Sequence, residues 1–116
     1  MIDRLKHVLI DEVDYPIAFS LNVLEVVQTE CGSLEKWENE MQPKKGEPVF
    51  KTVLFTFKEM INEGIDIENE RKNESRPFIT HKQAGRLVTA LGFLEAGKLI
   101  REVSAASVRS NKDPNS

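Results

Sequence analysis

The hydrophobic periodicity changes within residues 14–37, DYPIAFSLNVLEVVQTECGSLEKW. This change limits the possible folds more than any other feature of the sequence. Before Ser20 the apolar run YPIAF is typical of a strand, whereas Val23, Leu24 and Val27 recur at helical spacing. A serine hydroxyl can accept hydrogen bonds from the free amides of a first helical turn. The sequence therefore predicts a strand that passes directly into a helix at Ser20.

A second apolar run, LKHVLI, precedes this strand and predicts its partner in a hairpin. The polar residues between the two runs, Asp11 to Asp14, indicate a turn of three to five residues. The first run also fits a helical stripe that contains Ile2, Leu5 and Val8, so the residues alone leave both alternatives open.

Helical signals dominate the rest of the chain. Gly32 closes the first helix, and Ser33 caps a short second helix that ends near Met41. Apolar residues spaced i, i+3, i+4, i+7 and i+11 then predict a core helix that ends at Gly64. These residues are Phe50, Val53, Leu54, Phe57 and Ile61.

The segment 65–77 is highly charged and has no sustained period, which indicates a long loop, either mobile or functional. Thr80 and Gln83 form a capping box that opens another helix. The apolar phase slips at Gly92, where we expect a bend, and a last helix over residues 93–108 follows. We therefore predict an α+β, predominantly helical fold with an N-terminal β-hairpin followed by four to five helices. Residues 1–108 form one domain, and 109–116 a disordered tail.

Length and composition limit the class of protein. A chain of 116 residues is expected to form a single domain, and 40% hydrophobic with 30% charged residues argues against a membrane span. A net charge of −3 makes nucleic acid a poor partner. The single cysteine, Cys31, cannot form an internal disulfide, and the first residues lack a signal-peptide core, so we expect a cytoplasmic protein.

The residues required for catalysis or for binding a cofactor do not form a recognisable motif. Only two histidines are present, His7 and His81, and neither lies in a nucleophile–base pattern. The acidic residues between 63 and 70 lack the glycine and ligand spacing of a calcium loop. In a helix-turn-helix centred on Gly92, Val88 and Lys98 would stand at unsuitable positions. We therefore predict no enzyme, no cofactor and no metal, and DNA binding is a minor alternative.

Apolar residues at loops and helix ends are the remaining signal. They pack either as a satellite core beneath the loop or as a contact surface for another chain. The candidate partner-binding residues are Ile65, Ile67, Phe78, Ile79 and Phe93.

A pattern of residues between positions 15 and 37 resembles a known family. It consists of Tyr15-Pro16-Ile17, Phe19, Leu21-Asn22-Val23-Leu24-Glu25, Gly32-Ser33, Glu35 and Trp37. It is similar to the amino-terminal part of tail assembly chaperones of siphophages and prophages, particularly those of Gram-positive hosts. Further similarity lies in FTFKEMINEGIDIENE and in the helix opened by Thr80, so the resemblance extends to about residue 108. The turn before Tyr15 departs from the family because it lacks a glycine.

The resemblance implies a non-enzymatic, oligomer-forming protein of the host bacterial cytoplasm. Such proteins bind the tape measure protein, keep its hydrophobic helices soluble and give way as tail tube protein polymerises; a longer frameshifted product is common. We hypothesise that self-association uses Phe78, Ile79 and Phe93, with segment 65–77 ordering on contact. The alternative function is a small regulatory or anti-host binding protein of a mobile element.

Overall fold

A computed structural model describes residues 5–111 and begins with an antiparallel hairpin. Strand β1 (Lys6–Ile10) pairs with β2 (Val13–Ile17) so that Ile10 lies opposite Val13. Asp11 and Glu12 alone form the turn, and both have positive φ values, 51° and 67°. Positive φ at both central residues matches the right-handed twist of the strands. The hairpin prediction is confirmed, but the turn has two residues instead of three to five.

Two capped helices follow β2 directly. The Ser20 hydroxyl accepts hydrogen bonds from amides in the first turn of α1 (Leu21–Cys31). Gly32, with φ 97°, ends α1, and the Ser33 hydroxyl caps α2 (Leu34–Met41). The strand-to-helix switch and both helix boundaries are confirmed, because each depends on local hydrogen bonding by one residue.

Helix α3 is much longer than the sequence predicts. It runs over 23 residues, Phe50–Lys72, and ends where Asn73 adopts the left-handed conformation. The predicted end at Gly64 and the predicted loop over 65–77 are therefore wrong. Only the part of that segment beyond Asn73 lacks regular structure.

Gly64 has a packing role in the middle of α3. A Cβ atom placed there would lie 2.6 Å from the carbonyl carbon of Pro16, a distance that real contacts do not reach. Beside this contact, the Ala18 amide donates a hydrogen bond to the Met60 carbonyl at 3.1 Å. The glycine is therefore required so that the end of β2 can lie directly on the backbone of α3.

After Asn73 the chain returns along α3 as an ordered segment, residues 74–79, which we call the strap. The carboxamide of Asn69 bonds both the amide and the carbonyl of Arg76, at 3.0 and 2.9 Å. Asn62 holds the backbone of Ile79 in the same way, at 2.8 and 3.0 Å. Seven helical residues span about 10 Å, so the chain must be nearly extended over the three residue steps from Arg76 to Ile79.

The strap leads into two consecutive helices. Thr80 caps α4 (His81–Leu91) through the predicted capping box, and Gly92, with φ 107°, separates α4 from α5 (Phe93–Asn111). The predicted bend is confirmed. Helix α5 continues three residues past its expected end, and residues 112–116 of the predicted disordered tail lie outside the described residues.

Helix α3 lies at the centre of the hydrophobic core and contacts every other helix and β2. Of its predicted apolar stripe, Val53, Phe57 and Ile61 are buried and Leu54 is half-buried, whereas Phe50 is 56% exposed. The α+β, predominantly helical class with one hairpin and five helices is confirmed. Among the described residues, no helix combines the length and apolarity needed to cross a bilayer. Core side chains include Ile17, Phe19, Val27, Met60, Ile65, Ala84, Ile100 and Val103.

The close contact at Gly64 predicts opposite effects for two glycine-to-alanine substitutions inside helices. Gly64→Ala should destabilise the protein by about 1–3 kcal/mol, because overpacking against Pro16 outweighs the gain in helix propensity. Gly85→Ala, where a Cβ meets no atom within 4 Å, should stabilise it by about 0.5–1 kcal/mol. Urea unfolding followed by circular dichroism measures both; equal shifts for the two variants would contradict the packing role of Gly64.

Candidate functional site

An open apolar cleft of about 560 Å³ lies where the start of α3, the outer face of α4 and the start of α5 meet. We call it the phenylalanine cleft. Its apolar lining consists of Phe50 and Leu54 from α3, Val88 from α4 and Phe93 from α5. Gly85 and Thr89 also line it, and Lys82 and Arg86 bring its two positive charges.

The helix boundaries place the two aromatic rings of the cleft. Phe50 is the first residue of α3, and Phe93 is the first residue of α5, immediately after the positive φ of Gly92. Their ring centroids are 4.8 Å apart and the ring planes make an angle of 83°, which is a favourable edge-to-face contact. More than half of the Phe50 surface still faces solvent. The rings therefore present apolar area that the fold itself does not cover.

The charge of the cleft is opposite to that of the whole chain. Lys82 and Arg86 lie one turn apart on α4, and both are exposed. Neither makes an ion pair with any residue that the structure describes. No described carboxylate lines the cleft. A chain of net charge −3 thus carries one apolar surface with a positive rim.

A larger depression of about 790 Å³ lies between α2 and α5, and we call it the tryptophan groove. Its largest apolar side chains, Phe19, Trp37 and Met41, are already buried in the core. The Trp37 indole is also satisfied, because its Nε1–H donates to Thr56 Oγ1 at 3.0 Å. Both signs of charge line this groove, from Glu35, Glu38, Lys44 and Arg101. The groove is therefore mixed in charge, whereas the charged side chains of the phenylalanine cleft are all cationic.

The structure does not bring the five predicted partner-binding residues together. Ile65 is 1% exposed and lies in the core, so its assignment to a contact surface is wrong; α3 continues through it and turns it inward. Ile67 is half-buried, and Ile79 is half-buried against the core with its backbone held by Asn62. Phe93 lies in the phenylalanine cleft.

Phe78 is 56% exposed and lies on a different part of the surface from Phe93. It lines a small crevice between α1 and α3 together with Val23 and Val26. The same crevice contains the carboxylates of Glu59, Glu63 and Asp66. Phe78 and the half-buried Phe93, both singled out from the sequence, therefore lie in surroundings of opposite charge.

Cys31 lies in a small polar cluster that joins α1, α2 and α3. Its thiol contacts Glu40 Oε1 at 3.8 Å, and the same oxygen accepts a hydrogen bond from Thr52 Oγ1 at 2.5 Å. Burial, followed by the charge of the Glu40 carboxylate, raises the pKa of the Cys31 thiol above its ordinary value. The thiol is thus kept protonated, which makes it a poor nucleophile.

A second polar cluster attaches the hairpin to the far end of α3. His7 Nε2 contacts the largely buried Glu68 carboxylate and lies 3.8 Å from Asp14 Oδ2. Lys72 Nζ lies 3.8 Å from the same Glu68 oxygen. In the part of the chain that the structure describes, no three histidine, cysteine or carboxylate side chains are grouped to bind a metal ion.

Comparison with known protein families, characterised proteins and solved structures finds no match for this chain. The cleft is therefore interpreted from its own residues. Sequence reasoning placed Phe50 in the core and did not single out Lys82 or Arg86. The spacing of four residues between Lys82 and Arg86 was visible in the sequence. That these two side chains lie close to Phe50 depends on long-range packing.

The Cys31 cluster predicts that alkylation is slow and depends on Glu40. Glu40→Gln should lower the pKa of the thiol and speed its reaction with iodoacetamide at pH 7.5, because it removes the neighbouring negative charge. Glu30→Gln is the matched control and should have a smaller effect, since Glu30 raises the pKa less than Glu40 does. Mass spectrometry gives the rates. Identical rates for wild type and Glu40→Gln would contradict this assignment.

Proposed function

We propose that this protein is a non-enzymatic binding protein that shields apolar helices of a larger partner, as a tail assembly chaperone does for the tape measure protein. The observation that carries the proposal is the phenylalanine cleft, where Phe50 is 56% exposed and meets Phe93. Exposed aromatic side chains set in an apolar depression are typical of protein contact sites.

The chemistry of the cleft suits reversible binding. It offers apolar area and two exposed cationic side chains, and its one hydroxyl, on Thr89, already donates to the Gly85 carbonyl at 2.8 Å. An amphipathic helix gains affinity from such a surface through buried area, without a set of directional hydrogen bonds. A chaperone that must later release its client to the tail tube protein requires contacts of this modest kind.

A small regulatory or anti-host protein of a mobile element could use the same cleft to bind one host protein, and it remains the second candidate. A helix-turn-helix has less support, because that motif joins its helices by a turn of three or four residues. Here Gly92 alone separates α4 from α5. The proposed location is the bacterial cytoplasm, where tail assembly takes place.

The proposal includes self-association, but the residues assigned to the self-association surface must be revised. The hypothesis that segment 65–77 orders on contact no longer applies, since its first part is helical and Asn69 holds Arg76 in the strap. Phe78 is the predicted contact residue that is most accessible. We therefore assign self-association to the surface around Phe78 and client binding to the cleft.

Coexpression tests client binding. Together with the tape measure protein of the same genome, the wild-type chain should increase the soluble recovery of that protein and copurify with it. Phe50→Asp should weaken copurification about tenfold, the effect of losing about 1.4 kcal/mol of contact.

Leu21→Asp is the matched control for Phe50→Asp. Leu21 is the first residue of α1, as Phe50 is of α3, and it is 66% exposed outside the cleft. Aspartate is favourable in the first turn of a helix, so both variants should fold. Absence of rescue and of copurification with the wild-type chain would reject the chaperone function and favour the alternative.

Light scattering over a concentration series tests self-association. The wild-type mass should rise with concentration, and Phe78→Asp should reduce this rise because it places a further negative charge in a crevice that contains three carboxylates. Far-ultraviolet circular dichroism confirms that the variant is folded. A wild-type chain that stays monomeric at high concentration would remove self-association from the proposal.

A further inference from the structure

We propose that the phenylalanine cleft selects an amphipathic helix whose apolar stripe is flanked by carboxylates one turn apart. This inference rests on the proposed function and adds the chemistry of the segment that the cleft recognises. It identifies Lys82 and Arg86 as the residues that determine specificity, and Phe50 and Phe93 as the residues that supply contact area.

The shape of the cleft indicates a helix as its occupant. Phe50 and Leu54 lie one turn apart on α3, and Gly85 and Val88 lie nearly one turn apart on α4, so two helical ridges bound the depression. Gly85 leaves the space between them open, because a Cβ there would meet no atom within 4 Å. Ridges of one helix pack into a groove of this kind between two others.

The polar groups of the cleft indicate the charge of that helix. The Thr89 hydroxyl already donates its hydrogen to the Gly85 carbonyl, so Lys82 and Arg86 are the lining side chains left to donate hydrogen bonds to a partner. They lie one helical turn apart and make no ion pair within the described chain. Carboxylates spaced by one turn on the incoming helix would meet both cations together, and an arginine can hold a carboxylate by two hydrogen bonds.

The two kinds of contact have different effects on binding. Exposed ion pairs add little affinity each, but they change the choice between partners and the rate of association. Two such pairs should favour an acidic helix over a basic one by about tenfold at low salt, and screening should reduce this preference. Contact with Phe50 and Phe93 should contribute equally to the binding of an acidic helix and of a basic one.

Two synthetic peptides test the inference. They share one stripe of leucines at helical spacing and differ only at the flanking positions, which are glutamate in one peptide and lysine in the other. Fluorescence anisotropy measures their binding to the full chain at 50 and 500 mM salt. We expect the glutamate peptide to bind about tenfold more tightly at low salt, with a smaller difference at high salt.

Three variants distinguish the contribution of the cationic side chains to peptide binding from the contribution of the apolar lining of the cleft. The double variant Lys82→Glu with Arg86→Glu should reverse the preference between the peptides. Gly85→Leu fills the open space beside Gly85 without changing the charge of the cleft, and it should weaken the binding of both peptides to the same extent. Leu21→Asp lies outside the cleft and should leave both affinities unchanged.

Several outcomes would overturn the inferred preference for an acidic helix. They would not decide the proposed chaperone function, which the coexpression experiment tests separately. Equal binding of the two peptides, no binding of either, or a preference that survives charge reversal would each overturn the inference. Tighter binding of a labelled oligo-dT than of the glutamate peptide would indicate nucleic acid instead. If the double variant abolishes self-association in light scattering while peptide binding is absent, the occupant is a second copy of the chain.

Discussion

The contact between the end of β2 and the backbone of α3 at Gly64 determines where the other elements lie. It fixes the hairpin on one helix through main-chain atoms, because the Ala18 amide bonds the Met60 carbonyl. The next residues are then placed as well. Ser20 donates to the Glu63 carboxylate at 2.6 Å, immediately before Gly64 in the sequence of α3, and its hydroxyl also caps α1. One region of α3 thus positions both the sheet and the first helix.

The two halves of α3 have different tasks. Its C-terminal half receives the strap through Asn62 and Asn69 and the hairpin through Glu68, so it gathers polar contacts from distant parts of the chain. Its N-terminal end presents Phe50 and Leu54 to the cleft. Stability and binding surface are therefore built on one continuous helix.

Local chemistry explains which features could be predicted from the sequence. Ser20, Ser33 and Thr80 each act on amides two or three residues away, so their helix starts were visible without knowledge of the fold. Gly64 was misinterpreted because glycine both ends helices and permits close packing, and only the position of Pro16 decides between the two. The cleft could not be predicted either, because it depends on how distant elements pack. Phe50 fits the apolar stripe of α3, but more than half of its surface remains exposed.

The strap differs from most connections in how it is fastened. Asn62 and Asn69 grip only main-chain atoms of Ile79 and Arg76, so these clamps place no demand on the side chains between them. Pro77 and Phe78 are both exposed within that interval. Because the main chain is held at both ends of this interval and its side chains face solvent, we expect substitutions at Pro77 and Phe78 to change the surface more than the fold.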